Sequence, residues 1–361
     1  MSASPPPSPG PLVSLPKWLQ WTVLVAVSLV LVVTFEAMSI PAALLIGAMI
    51  AAIAMGISGA TIRAPGMAFN GAQMVMGSLI ASAIQIDIVG TIVADWLPVT
   101  IAVVSTVAAS SFLGWSISRL RILPGTTAVW GSAPGASTAM VLMAETFGAD
   151  ARLVAFMQYL RVVMVTFAAA LVSRIWVEPS SVAQAAHMWF PPIDSAALGG
   201  TLLVAALGGA CGRLLRLPSP YFLGAFIVGI AFNLGGIVTF QHPQWLLAAS
   251  YAVIGWTVGL RFDRAIVLRA AKSLPMIMLS ILLLMGFCGL IAWLLVIELG
   301  IDPLTAYLAT SPGGLDSIAI IAAASSTVDL SLIMALQTAR FLFVLVFGPI
   351  IARFVARTLR V

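Results

Sequence analysis

Charge is what this sequence has least of. Only 8% of its 361 residues are Asp, Glu, Lys or Arg, against 61% hydrophobic residues, and its mean hydropathy is +1.12. Soluble domains carry about 25% charged residues, so the solvent for most of this chain is lipid. Histidine is nearly absent: His187 and His242 are the only two, both in proline-flanked loops, too few for a histidine-based copper or zinc site. No GxxxxGK[ST] run occurs, which excludes ATP hydrolysis by a phosphate-cradling loop, and no Ser-His-Asp set stands in a plausible setting. Neither a cofactor, a metal nor an enzymatic activity is expected. The two cysteines, Cys211 and Cys288, lie in apolar stretches and read as small packing residues.

What charge there is has a pattern. The formal charge is +5, but the basic residues stand singly between apolar spans. That is the positive-inside bias of membrane loops, not a surface for direct nucleic-acid binding. Residues 1–16 form a proline-rich tail expected to be disordered, without the basic start and small-residue cleavage site of a secretory signal.

A hydrocarbon core of about 30 Å takes about 20 apolar residues as helix. Candidate segments lie near 18–35, 39–57, 68–86, 96–118, 125–147, 153–173, 196–212, 220–236, 244–260, 274–297, 303–325 and 330–352. The polar stretch 174–195 divides them, giving a first repeat (17–177), a linker (178–194) and a second repeat (195–361). "GSAPGASTAM…GADARLVAFMQYLRV" from 131 answers "TSPGGLDSIA…TVDLSLIMALQTARF" from 310. Pro134 matches Pro312, Gly135 matches Gly313, Asp150 matches Asp329, Gln158 matches Gln337 and Arg161 matches Arg340. A matched series in one order reads as a duplication.

The loop charges of the second repeat mirror those of the first, which favours inverted repeats over two parallel six-helix halves. Inversion needs an odd number of crossings per half, so the fifth segment of each becomes a broken or re-entrant element. The expected fold is an all-α polytopic membrane protein of about ten full transmembrane helices plus two such elements, with both termini cytoplasmic. Arg174 is the residue this scheme misplaces, and Arg152 must lie inside. The "GGACG" run at 208–212 reads as close helix packing.

Broken helices leave unpaired backbone groups at membrane depth and expose half-helix N-termini that suit an anion. Candidate binding residues are therefore Ser132, Pro134, Gly135 and Ser137 at the first break. At the second they are Ser311, Pro312, Gly313, Gly314 and Ser317. Gln158 with Arg161, and Gln337 with Arg340, are spaced to share one helix face. A mid-membrane arginine costs at least about 2.5–3.5 kcal/mol to insert, so each must meet a carboxylate, a carbonyl cluster or a substrate anion. Asp316 has no counterpart in the first repeat. It is a candidate for proton or sodium coupling, or a partner that neutralises Arg340.

The PG breaks and QxxR pairs resemble the AbrB-type duplicated membrane family over about residues 20–355. Its members are bacterial inner-membrane proteins often labelled ammonia monooxygenase or linked to regulation of gene expression. The resemblance implies a shared motif for these residues without assigning roles. The residues favour an ion-coupled secondary transporter of a small carboxylate-type anion in the lipid bilayer, with a membrane-bound sensor as the alternative. Monomer and homo-oligomer both stay open.

Overall fold

The computed structural model describes residues 12–38, 40, 42–135, 137–176, 189–190, 192–217, 219–313 and 328–359, and these are all helix, turn and loop. Among the described residues, six helices are long and apolar enough to cross a membrane. In chain order the helices are α1 (Lys17–Ala37), α2 (Ala43–Ile57), α3 (Gly66–Ser82), α4 (Ile86–Ala94), α5 (Trp96–Arg119), α6 (Thr127–Ser132) and α7 (Ser137–Thr146). They continue with α8 (Ala151–Trp176), α9 (Ser195–Leu214), α10 (Pro220–Leu234), α11 (Gln244–Gly259), α12 (Arg264–Leu299), α13 (Pro303–Thr310) and α14 (Leu330–Leu359). Residues 178–188 of the linker (178–194) and the stretch 314–327, which holds Gly314, Asp316 and Ser317, lie outside the described residues.

The helices sort into two bundles that draw on both ends of the chain. In the first, α2 packs on α1 and α11, α3 packs on α10 and α11, and α9 packs on α10 and α3. Small residues bring these backbones together: a Cβ on Gly212 would lie 2.1 Å from the Pro220 carbonyl, and one on Gly224 would lie 2.1 Å from the Gly208 carbonyl. The close-packing reading of 208–212 holds for the glycines. Cys211 instead stands exposed, while Cys288 is buried. In a helix, two residues of one run can face opposite sides, and apolar sequence around a cysteine does not say which side is lipid.

The second bundle joins α4–α8 to α12–α14. Here α5 packs on α6, α12 and α14, while α8 packs on α6, α7 and α12, and α13 packs on α12 and α14. Between the bundles, α8 meets α11, and Phe226 of α10 sits edge-on to Phe341 of α14 with ring centroids 5.5 Å apart.

Helix ends gather into two sets. Gln20 donates to Thr61 Oγ1, Gly56 abuts the Phe262 carbonyl, and Arg152 Nη1 donates to the Arg261 carbonyl. Asp150 N donates to Thr127 Oγ1, Thr146 meets Ser219, and Trp115 Nε1 donates to Thr358 Oγ1. This end carries Lys17, Arg63, Arg119, Arg121, Arg152, Arg213, Arg216, Arg261, Arg264, Arg353 and Arg357, against the carboxylates Glu145, Asp150 and Asp263. The opposite end is joined by Asn233 donating to the Ile84 carbonyl and by Ser78 with His242. It carries Glu36, Asp95, Asp194, Glu298, Asp302 and Asp329.

The short α4 was not legible in the hydropathy: it falls in the gap between the candidate segments 68–86 and 96–118. α12 is one continuous helix of 36 residues, longer than the expected 274–297 because its first turns lie outside the most apolar window.

Candidate functional site

Both breaks follow from proline chemistry. The residue before proline is pushed out of the helical region: Ala133 is extended at ψ 122° before Pro134, and Ser311 at ψ 131° before Pro312. Each short helix therefore stops with its last carbonyls unpaired inside the second bundle.

The Gln and Arg pairs supply the partners. Gln158 Nε2 donates to the Trp130 and Ala133 carbonyls at 2.8 and 3.0 Å. Arg161 Nη1 donates to the Ser132 and Ala133 carbonyls at 3.1 and 2.9 Å, and its Nη2 donates to Gln158 Oε1 at 2.6 Å. At the second break, Gln337 Nε2 donates to the Leu308 and Ser311 carbonyls at 2.9 and 3.0 Å. Arg340 Nη1 donates to the Thr310 carbonyl at 3.0 Å, and its Nη2 donates to Gln337 Oε1. Of the partners expected for a mid-membrane arginine, the described residues supply a carbonyl cluster. A positive charge there also faces the negative end of each half-helix dipole.

Arg161 and Arg340 are 1% and 3% exposed. Nε of each has no hydrogen-bond partner among the described residues, and neither do the buried hydroxyls of Ser132, Ser137 and Ser311. The ion pairs among the described residues, Asp150 with Arg152 and Glu145 with Arg261, lie elsewhere. A crevice of about 10 Å³ reaches Arg161 between Gly131, Ser132, Met157 and Leu284, room for about one water.

The chain enters and leaves each break from one side. Thr127 opens α6 and accepts from Asp150 N just after α7, at the basic end. Thr305 opens α13 and accepts from Asp329 N just before α14, at the acidic end. Asp302 caps α13 by accepting from Thr305 N.

Of the expected residues, the structure brings together Ser132, Pro134, Gly135, Ser137, Gln158 and Arg161 around one break. It places Ser311, Pro312, Gly313, Gln337 and Arg340 around the other. Sequence reasoning missed Trp130, fully buried beneath the site and stacked on Phe147 at 5.6 Å. It also missed Thr127 and Thr305, although they share the offset of the matched prolines. Cys288 and Thr310 were missed as well; the latter's hydroxyl ties α13 to the Cys288 carbonyl at 3.1 Å.

The family described as "Transition state regulatory protein AbrB" matches residues 44–356. The chain belongs to the AbrB family. It is 46% identical over 339 residues, covering 94% of this chain and 97% of the relative, to the Escherichia coli (strain K12) protein named "Putative regulator AbrB". It is also 25% identical over 296 residues to "Uncharacterized protein YhjN" of Bacillus subtilis (strain 168), covering 77% of this chain and 76% of that one. No solved structure matches. Within the AbrB family frame, the QxxR pairs are the residues that tie α8 and α14 to the two breaks.

Proposed function

We propose that this AbrB-family protein is a secondary transporter of a small carboxylate-type anion, coupled to protons or sodium, with its site between the two breaks. The observation that carries this reading is a buried arginine at each break, Arg161 and Arg340, whose Nε atoms, like the hydroxyls of Ser132, Ser137 and Ser311, have no hydrogen-bond partner among the described residues. Such a set of donors binds an anion because a guanidinium fork suits a carboxylate and because unpaired buried donors are costly without an acceptor. A carboxylate does not fit a crevice of about 10 Å³, so binding requires opening, which is what alternating access supplies.

Two sets of contacts support inverted repeats with two re-entrant elements; the ten crossings of this proposal include α2, α3, α10 and α11, shorter helices of 15–17 residues. The breaks enter from opposite ends, the carbonyls that Gln158 and Gln337 hold correspond one for one, and the Ser132 carbonyl held by Arg161 corresponds to the Thr310 carbonyl held by Arg340. We infer that the basic end faces the cytoplasm of a bacterial inner membrane, by the positive-inside rule. The interlocked packing of α1–α3 with α9–α11 favours a moving unit other than one repeat. The broken-helix bundle, built from both repeats, would shift against the other bundle. Asp316 remains the proposed coupling residue.

The second reading is a membrane-bound sensor that affects gene expression indirectly, favoured by the E. coli relative's name as a regulator. The test is uptake of labelled acetate, lactate, succinate and citrate into proteoliposomes under proton and sodium gradients. Gradient-driven uptake that vanishes in Arg161→Ala supports transport. Saturable binding without uptake in every gradient supports sensing.

A further inference from the structure

A groove of about 620 Å³ opens on the first bundle at the basic end, away from the breaks. Arg213, in the last turn of α9, and Arg216, just past it, both line this groove, as does Tyr221 in the first turn of α10. The wall below them is apolar, formed by Met74 of α3 with Ala210 and Leu214 of α9. Leu214 is 83% exposed, so this wall opens outward along the helix rather than into the protein.

Neither guanidinium has a hydrogen bond or ion pair among the described residues. The carboxylates described at the same end are engaged elsewhere. Glu145 pairs with Arg261, Asp150 with Arg152, and Asp263 caps α12 by accepting from Ile266 N. The groove thus presents two cations and a phenol above a greasy wall, at the end of an apolar 20-residue helix.

The floor is rigid. Gly212 and Gly224 hold α9 and α10 in backbone contact, and the α9 end is closed by Leu217 N donating to the Gly212 carbonyl at 3.0 Å. This turn places Arg216 at a left-handed φ of 53°. Ordering the two guanidiniums on a fixed turn lowers the entropy lost when they bind.

We propose that this groove is a site for an anionic phospholipid. The headgroup phosphate sits between Arg213 and Arg216, whose planar forks match phosphate oxygens, and an acyl chain runs along Met74, Ala210 and Leu214. A free anion would leave the apolar wall uncovered; a lipid covers both parts at once.

The test is native mass spectrometry of the full chain released from nanodiscs of phosphatidylcholine with and without phosphatidylglycerol. One phosphatidylglycerol per chain is expected to be retained in preference to phosphatidylcholine. Each arginine near a membrane surface contributes roughly a five-fold gain in anionic-lipid affinity. The Arg213→Gln/Arg216→Gln variant should therefore lose retention by roughly 20-fold or more. Arg269→Gln/Lys272→Gln, which removes two exposed charges near the start of α12, should leave retention unchanged. The proposal is overturned if both double variants lose lipid equally, which indicates diffuse attraction. It is also overturned if inorganic phosphate binds these arginines while lipid does not, or if Arg216→Cys cross-links two copies through this face. Gel filtration of each variant checks that it is folded.

Discussion

The two bundles are built on opposite principles. In the first, backbones meet through glycine, as where Gly208, Gly212 and Gly224 let α9 and α10 touch, and no charged side chain is buried among the described residues. In the second, helices are broken at Pro134 and Pro312, and two arginines lie buried among carbonyls. A bundle closed by backbone contact has little room to change shape, whereas a break leaves polar groups that must be satisfied somehow. The comparison assigns rigidity to one and chemistry to the other.

The strongest way to break that division is to remove a guanidinium. Arg161→Ala or Arg340→Ala leaves buried carbonyls without donors, and stability in detergent should fall by about 3 kcal/mol. Anion uptake should be abolished as well. Arg161→Lys should fail to restore either, because an ammonium cannot reproduce the planar fork that reaches two carbonyls and Gln158. Thermal unfolding and uptake measured on the same preparations read both effects.

Next comes a substitution in the glycine-packed bundle. Gly212→Ala places a methyl group against the Pro220 carbonyl, and overpacking of this kind costs about 1–3 kcal/mol. Unfolding should occur at lower temperature while anion affinity, measured by calorimetry, stays unchanged. A change in affinity would mean that the bundles are not separate in function.

The contact between the bundles at the basic end is weaker. Glu145→Gln removes the ion pair with Arg261, a half-exposed bond worth under about 1 kcal/mol. Stability should barely change, whereas uptake rate should rise if this pair holds the bundles in one position. The effect should fade in high salt, where the wild-type pair is screened.

At the acidic end the expected effect is confined to low pH and is absent at pH 7. Burial pulls His242 down to about 4, and its ring meets Ser78 Oγ at 3.0 Å. The neutral ring is favoured in the folded state, so its contribution is complete above about pH 6.5, the unfolded value. It is lost as pH falls from there toward 4. Thermal stability of wild type should therefore decline between pH 7 and 4 by more than that of His242→Gln.

Much of the second bundle was legible because its signals are local. Proline dictates the backbone before it, and a QxxR pair shares one helix face by spacing alone. The matched positions in the two halves then pointed to Gln158, Arg161, Gln337 and Arg340. The sequence did not reveal what those side chains hold. A carboxylate, a carbonyl cluster and a substrate all suit a guanidinium, and only the folded positions of Ser132, Ala133 and Thr310 show that carbonyls are among the partners. The division into bundles was not legible either. Packing α2 against α11 joins residues about 200 positions apart, and packing α3 against α10 joins residues about 150 apart; no local pattern encodes such pairings. Likewise Cys211 and Cys288 look alike in sequence, and burial separates them.

The central claim is that the arginine pair between the breaks handles a small anion that crosses the membrane. The most direct measurement is concentrative uptake of labelled acetate, lactate, succinate and citrate into proteoliposomes under an imposed proton or sodium gradient, with Arg340→Ala alongside wild type. The account predicts uptake of at least one of these by wild type, collapsed by dissipating the gradient and absent in the variant. Uptake by neither protein under any gradient, despite saturable binding to the wild type, would contradict it.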